Sequence, residues 1–299
     1  MTRLPLGVAL GVLVLLAGCG AKSADAAGDP LPVVATTPQV ADFVRTIGGA
    51  DVKVTQIIKP GVDPHEYEPT PADMQAISQA RLVVKNGVGL EKWLDGTISS
   101  AGYRGTVVDA SRGVTLRVED GGEQDPHIWH NPLNAKIMVA DIEQGLAAAD
   151  PSHASVFAGN LAAYSAELDK LDAGNLAAYG KIAPTQRKLV TNHDAFGYYV
   201  DRYRLDFVGS VIPSMDTSAE LSAKQLTDLV AKIEATGVKA VFTESSLPPK
   251  TAEAIASRAG VKVVASLYGD SLGPAGSPGA TYLGAEEHNT QTIVTALAG

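Results

Sequence analysis

A chain of 299 residues with 45% hydrophobic and 19% charged side chains has a globular composition and is long enough for two ordinary domains or one large one. Its formal charge of -9 at pH 7 argues against nucleic acid or an anionic membrane as partner and suits attraction of cations. A single cysteine excludes an intramolecular disulfide.

Residues 1–18 read as an export signal. Arg3 is their only charge, and Leu4 to Gly18 form an apolar run too short to span a bilayer as a mature helix. The run ends in Leu16-Ala17-Gly18-Cys19, which resembles the bacterial lipobox. That resemblance implies cleavage before Cys19, acylation of its thiol, and an extracytoplasmic protein held to the lipid bilayer of the cell membrane. The plainer alternative is an ordinary cleaved signal with an incidental cysteine. Residues 19–30, rich in Ala, Gly, Ser and Asp, read as a flexible tether. Loss of residues 1–18 removes Arg3 and no acid, so the formal charge moves from -9 to -10.

Beyond the tether, β-branched runs alternate with helical spacing of apolar residues. Strands are expected at Val33–Thr37, Val52–Ile58, Leu82–Asn86 and Thr106–Ala110, with helical segments at Gln39–Ile47 and Pro71–Ala80. The second half repeats this with strands Lys188–Asn192, Phe207–Ile212, Ala240–Thr243 and Lys262–Ser266 and helices Ala219–Ala235 and Pro249–Ala259. The expected fold is α/β: two similar lobes, 31–149 and 184–299, with mainly parallel sheets. Between them, at 150–183, Asp150-Pro151 supplies an N-cap and a first helical residue. The apolar face Phe157, Leu161, Tyr164, Leu168 and Leu171 then runs toward Ile182. A helix of about 30 residues spans about 45 Å and acts as a rigid strut, so only limited lobe closure is expected.

Six histidines are the chemically telling residues. Asp-Pro-His occurs twice, at Asp63-Pro64-His65 and Asp125-Pro126-His127, where composition alone predicts roughly 0.02 copies. Pro64 holds Asp63 extended, so His65 leaves a strand end in a constrained direction, where open α/β sheets bind ligands. A lone loop histidine is more often plain solvated surface; the repeat reverses that reading. His127 and His130 are three apart, but Asn131-Pro132 marks a helix start after them, which places the pair in an irregular turn. His127 matches His65 within its tripeptide and is the better ligand; His130 reads as supporting or partly exposed. His193 ends a strand of the second lobe, where the bland reading is a helix cap, and Asp270 follows another, where alone it reads as turn chemistry. His153 and His288 read as solvated surface.

Three imidazoles and a carboxylate suit tetrahedral Zn2+, and the same set accepts Mn2+ or Fe2+ more weakly. Four protein ligands leave no open position for a catalytic water, and no His-Glu-x-x-His element occurs, so binding is favoured over hydrolysis.

These residues resemble the extracytoplasmic solute-binding lipoproteins of zinc and manganese ABC importers. The resemblance is carried by Pro60-Gly61-Val62-Asp63-Pro64-His65-Glu66-Tyr67-Glu68-Pro69-Thr70, Asp125-Pro126-His127-Ile128-Trp129, Asn192-His193-Asp194-Ala195-Phe196-Gly197-Tyr198 and Phe242-Thr243-Glu244. It implies two α/β lobes joined by one rigid helix, metal ligands His65, His127, His193 and Asp270, and delivery of the ion by a monomer to a membrane permease. A histidine at the third ligand leans towards zinc, because many manganese members carry Glu there. One departure stands out: the segment from Gly113 to Gln124 is short and has no histidine, where many zinc members carry a long histidine-rich loop. A manganese- or iron-binding component, a metal-buffering or adhesive surface lipoprotein, and a secreted metallohydrolase are the competing readings.

Overall fold

Alternation of β-branched runs with capped helices produces a repeated β/α order. In chain order the elements of the first half are β1 (Leu31–Ala35), α1 (Pro38–Gly48), β2 (Val52–Gln56), α2 (Pro71–Gln79), β3 (Leu82–Lys85), α3 (Leu94–Ser100), β4 (Thr106–Asp109) and α4 (Pro132–Ala149). There follow α5 (Ala154–Tyr179), β5 (Lys188–His193), α6 (Gly197–Tyr203), β6 (Asp206–Ile212), α7 (Ala223–Thr236), β7 (Ala240–Glu244), α8 (Lys250–Ala259), β8 (Lys262–Leu267) and α9 (Tyr282–Ala298). This computed structural model describes residues 1–2, 29–119, 121–219 and 222–299. Nearly all of the export signal and tether, Cys19 included, lies outside the described residues.

The strands form two four-stranded parallel sheets, in the orders β2-β1-β3-β4 and β6-β5-β7-β8. Each sheet places its first strand between its second and third, so the two lobes share one winding. Local chemistry fixes the helix starts. Thr37 accepts from Val40 N–H with Pro38 beside it, Thr70 and Asp73 form a capping box, and Asn131 accepts from Leu133 N–H ahead of Pro132. Helix α7 starts four residues later than its apolar pattern suggests, because Ser222 and Gln225 form the capping box there.

Helices α5 and α9 contribute to both cores along their lengths, and α6 lends Tyr198 to the first while Tyr199 and Tyr203 sit in the second. The strut α5 carries 26 residues, about 39 Å, and is shorter than its sequence pattern. Asp150 caps a 3₁₀ turn, Pro151–His153, before the α-helix begins, and the chain leaves the helix at Gly180 ahead of Pro184. Its Phe157, Tyr164 and Leu168 join the first-lobe core while Tyr179 joins the second, with Leu161 and Leu171 only partly buried. Helix α9 does the same in reverse: Tyr282 packs edge-to-face on Phe43 at 4.8 Å in the first core, and Ile293 and Leu297 fill the second. Burial of each such side chain stabilises by roughly 1.5–3 kcal/mol, so both helices tie the lobes together along their lengths. Among the described residues no helix is long and apolar enough to cross a membrane.

Candidate metal centre

The four residues singled out from the sequence meet between the lobes. His65 sits in the loop after β2 and His127 at the head of a 3₁₀ turn, Ile128–His130, before α4; His193 is the last residue of β5, and Asp270 lies just beyond β8. One donor atom from each falls within 4.8 Å of all the others. His65 Nε2 and His127 Nε2 face one another at 3.3 Å. Asp270 Oδ2 lies 3.4 Å from His65 Nε2 and 3.3 Å from His193 Nδ1, and Asp270 Oδ1 lies 3.3 Å from His127 Nε2. The three imidazole centroids form a near-equilateral triangle with sides of 5.3, 5.3 and 5.1 Å. Side-chain exposure is 3% for His65 and 0% for the other three.

Backbone and neighbours hold these side chains. Asp63 Oδ1 accepts the His65 N–H at 2.9 Å, and Asp125 Oδ1 accepts both the His127 N–H at 3.0 Å and its Nδ1 proton at 2.8 Å. The second bond fixes the tautomer of His127 with Nε2 free to ligate. Glu244, at the end of β7, accepts the Asp270 N–H through Oε2 at 3.1 Å, and a side chain at Gly269 would overlap that carboxylate. Trp129 Nε1 and Gln39 Nε2 both donate to the Gly269 carbonyl, at 3.2 and 3.3 Å, which anchors the Asp270 loop to the first lobe.

Both oxygens of Asp270 and both ring nitrogens of His193 are buried without a hydrogen-bond partner. Stranding such groups costs about 1–3 kcal/mol each, more for charged ones, unless a cation satisfies them. The electrostatics agree. Burial works against a charge on His127, yet the Asp125 and Asp270 carboxylates outweigh it and push its pKa up to about 9. Burial also opposes a charge on His193, but Asp270 and, less strongly, Glu244 outweigh it and hold its pKa well above the usual imidazole value. Burial opposes ionisation of Asp270, but the facing His193 and His127 hold its pKa well below the carboxylate range. Without metal the cluster therefore holds protons where a cation fits.

The remaining histidines are placed elsewhere. His130 does not reach the cluster, and it is fully buried rather than partly exposed. Its Nδ1 bonds Glu286 Oε1 of α9 at 2.8 Å and its ring stacks on Phe196 at 4.4 Å, because the 3₁₀ turn points it away from His127. His153 and His288 lie at the surface, as read, each partly covered by a bond: His153 Nδ1 pairs with Asp150 at 2.6 Å, and His288 Nε2 bonds the Ser266 carbonyl at 3.1 Å. The role of Asp125 was missed; the signal that could have found it is the repeated Asp-x-His spacing, which lets an aspartate bond the histidine two residues on. Glu286 carried no local signal, since its partner is 156 positions away.

The sequence model of the family described as "Zinc-uptake complex component A periplasmic" matches residues 33–296. The chain belongs to this family. Its members are solute-binding components of metal ABC importers, not enzymes. The chain is 34% identical over 288 residues to the zinc-binding protein TroA of Treponema pallidum, covering 93% of this chain and 92% of that one. It is 33% identical over 292 residues to the manganese-binding lipoprotein MntA of Bacillus subtilis, covering 94% and 95%. The iron ABC transporter substrate-binding lipoprotein MtsA of Streptococcus pyogenes is 30% identical over 303 residues, covering 98% and 97%. In structure the chain is similar to TroA of Treponema pallidum, with a TM-score of 0.86 over 90% of this chain and 99% of that one at 33% identity. The two-lobed α/β architecture read from the sequence is thus the architecture of the family.

Proposed function

We propose that this substrate-binding protein captures Zn2+ outside the cytoplasm with His65, His127, His193 and Asp270 and passes it to a membrane permease. The observation that carries the reading is the buried, unpartnered set of Asp270 oxygens and His193 nitrogens beside two imidazoles turned to the same point. Three nitrogens and one carboxylate make the tetrahedral donor set that zinc favours. His65 and His127 come from the first lobe, and His193 and Asp270 from the second, so the ion bridges them. The division at 31–149, 150–183 and 184–299 belongs to this proposal, with small lobe shifts about the strut serving release. So do acylation of Cys19, residence at the cell membrane and a monomeric state.

Removal of a direct ligand separates this reading from its rivals. His127→Ala is expected to weaken zinc binding beyond the 10–100-fold typical of lost outer-shell partners, while His130→Ala leaves one zinc per chain. Titration against a chelating dye checks this, and a loss at His130 equal to or greater than that at His127 overturns the assignment. A second reading takes Mn2+ or Fe2+ as cargo. It is favoured by both Asp270 oxygens being without hydrogen-bond partners, which allows bidentate binding and a coordination number above four. Elemental analysis of protein purified without added metal decides between them: zinc at one equivalent supports the first reading, manganese or iron the second.

A further inference from the structure

The two Asp-Pro-His tripeptides share a second property. In each, one aspartate oxygen holds the backbone N–H of the histidine two residues on, Asp63 Oδ1 for His65 at 2.9 Å and Asp125 Oδ1 for His127 at 3.0 Å. The other oxygen reaches toward the opposite lobe, directly in Asp63 and through the first-lobe Arg117 in Asp125. Asp63 Oδ2 accepts the Thr217 hydroxyl at 2.7 Å. Asp125 Oδ2 takes Arg117 Nη1 at 2.9 Å, and Arg117 Nε in turn donates to Asp201 Oδ2 at 2.7 Å. Thr217 follows β6 and Asp201 lies on α6, both in the second lobe.

We propose that Asp63 and Asp125 are positioning residues that clasp the lobes, and that breaking their links, direct to Thr217 and through Arg117 to Asp201, is the step that frees the ion. This rests on the metal-binding reading above. A carboxylate is one planar, rigid group, so donors on its two oxygens are mechanically coupled. When the second lobe recedes, Asp63 loses the partner that fixes its torsions, and the turn that aims His65 loosens with it. The same recession takes Asp201 from Arg117, which leaves the guanidinium on Asp125 without its second-lobe anchor; the other oxygen of Asp125 sets both the backbone and the tautomer of His127. Histidine placement is thereby made to depend on lobe apposition.

Neighbouring contacts run along the same seam. Lys92 of the first lobe pairs with Asp216, next to Thr217, and the Gly61 N–H donates to Ser271 Oγ, next to Asp270, at 2.7 Å. Arg117 also pairs with Glu119 at 3.0 Å, within its own lobe. The Asp201 side chain is 62% exposed, so the outer end of the second link is open to competition from solvent or a docking partner. The close passage of Arg117 is built into the sequence: a methyl group on Gly197 would overlap Arg117 Nη1 and crowd Asp125 Oδ2.

The test is zinc release from the full chain to a chelating dye by stopped flow, with Thr217→Val, Thr217→Ser and Asp201→Ala beside the wild type. Thr217→Val is expected to release zinc about tenfold faster, the scale of one lost hydrogen bond to a charged group, and Asp201→Ala about fivefold faster, the upper end for an exposed ion pair, while Thr217→Ser keeps the wild-type rate. Release within about twofold of wild type in either of the first two overturns the clasp, even where the metal-free thermal midpoint falls. So does a serine variant as fast as the valine one, since shape and not the hydroxyl bond would then be acting. A wild-type chain that binds no zinc removes the metal-binding reading and the clasp together; normal binding with unaltered release removes the clasp alone.

Discussion

His127 and His130 stand three residues apart and have different work because of what faces each ring. Asp125 and Asp270 flank His127, while Glu286 and Phe196 enclose His130 within the protein. The His130–Glu286 pair is fully buried, and burial raises the Glu286 pKa, so removing the imidazole strands a carboxyl group with no other side-chain base to meet it. His130→Ala is expected to destabilise the metal-free protein by about 3 kcal/mol, read by urea or thermal unfolding, with zinc stoichiometry retained. Unchanged stability would show that the pair adds nothing to folding. The convergence of His65, His127, His193 and Asp270 was legible because a repeated tripeptide and strand-end positions are local features. Arg117, Glu244 and Glu286 were not given their roles because each acts through a partner brought near only by folding: Asp201 is 84 positions from Arg117, and the Asp270 N–H is 26 from Glu244.

Strands were legible to within a residue or two, because β-branched runs bounded by turn residues leave little choice of state: Lys188–Asn192 was expected where Lys188–His193 forms, and Leu82–Asn86 where Leu82–Lys85 forms. Helix ends were harder, since caps and not hydrophobic period decide them, as Ser222 shows at α7 and the 3₁₀ turn shows at α5. Glycines separate the two roles an element can have. Gly159 and Gly174 lie on exposed turns of α5 with nothing near the place a Cβ would occupy, so they weaken the strut without serving a contact. Replacing either with alanine is expected to stabilise the chain by up to about 1 kcal/mol and to leave zinc affinity alone. Gly197→Ala, at the start of α6, is expected to do the opposite: displace Arg117 and weaken zinc binding about tenfold. Calorimetry and dye titration on the three variants check this, and equal behaviour of Gly197 and Gly159 would refute the distinction.

At the scale of the whole molecule, the protons held by the metal-free cluster link pH, lobe stability and metal. His127 has a folded pKa of about 9 against about 6.5 in an unfolded chain, and His193 shifts the same way. A raised pKa contributes stability that is fully present below the unfolded value and is lost as pH climbs through the folded one. The metal-free chain should therefore lose thermal stability between pH 6.5 and 9, as deprotonated imidazoles leave the buried Asp270 charge without its partners. Coordinated histidines are already neutral, and Zn2+ then faces less competition from protons, so the zinc-bound chain should hold its midpoint over the same range. The stabilisation by zinc, RT ln(1 + [Zn]/Kd), should widen as pH rises from 6.5 to 9 and narrow below it. Midpoints measured with and without saturating zinc at several pH values test this, together with the proton release seen when calorimetric binding enthalpy is compared across buffers. A metal-free midpoint that stays flat from pH 6.5 to 9, or zinc uptake that frees no protons at pH 7, would mean that the imidazoles are neutral before the ion arrives and that Asp270 is satisfied by something other than them.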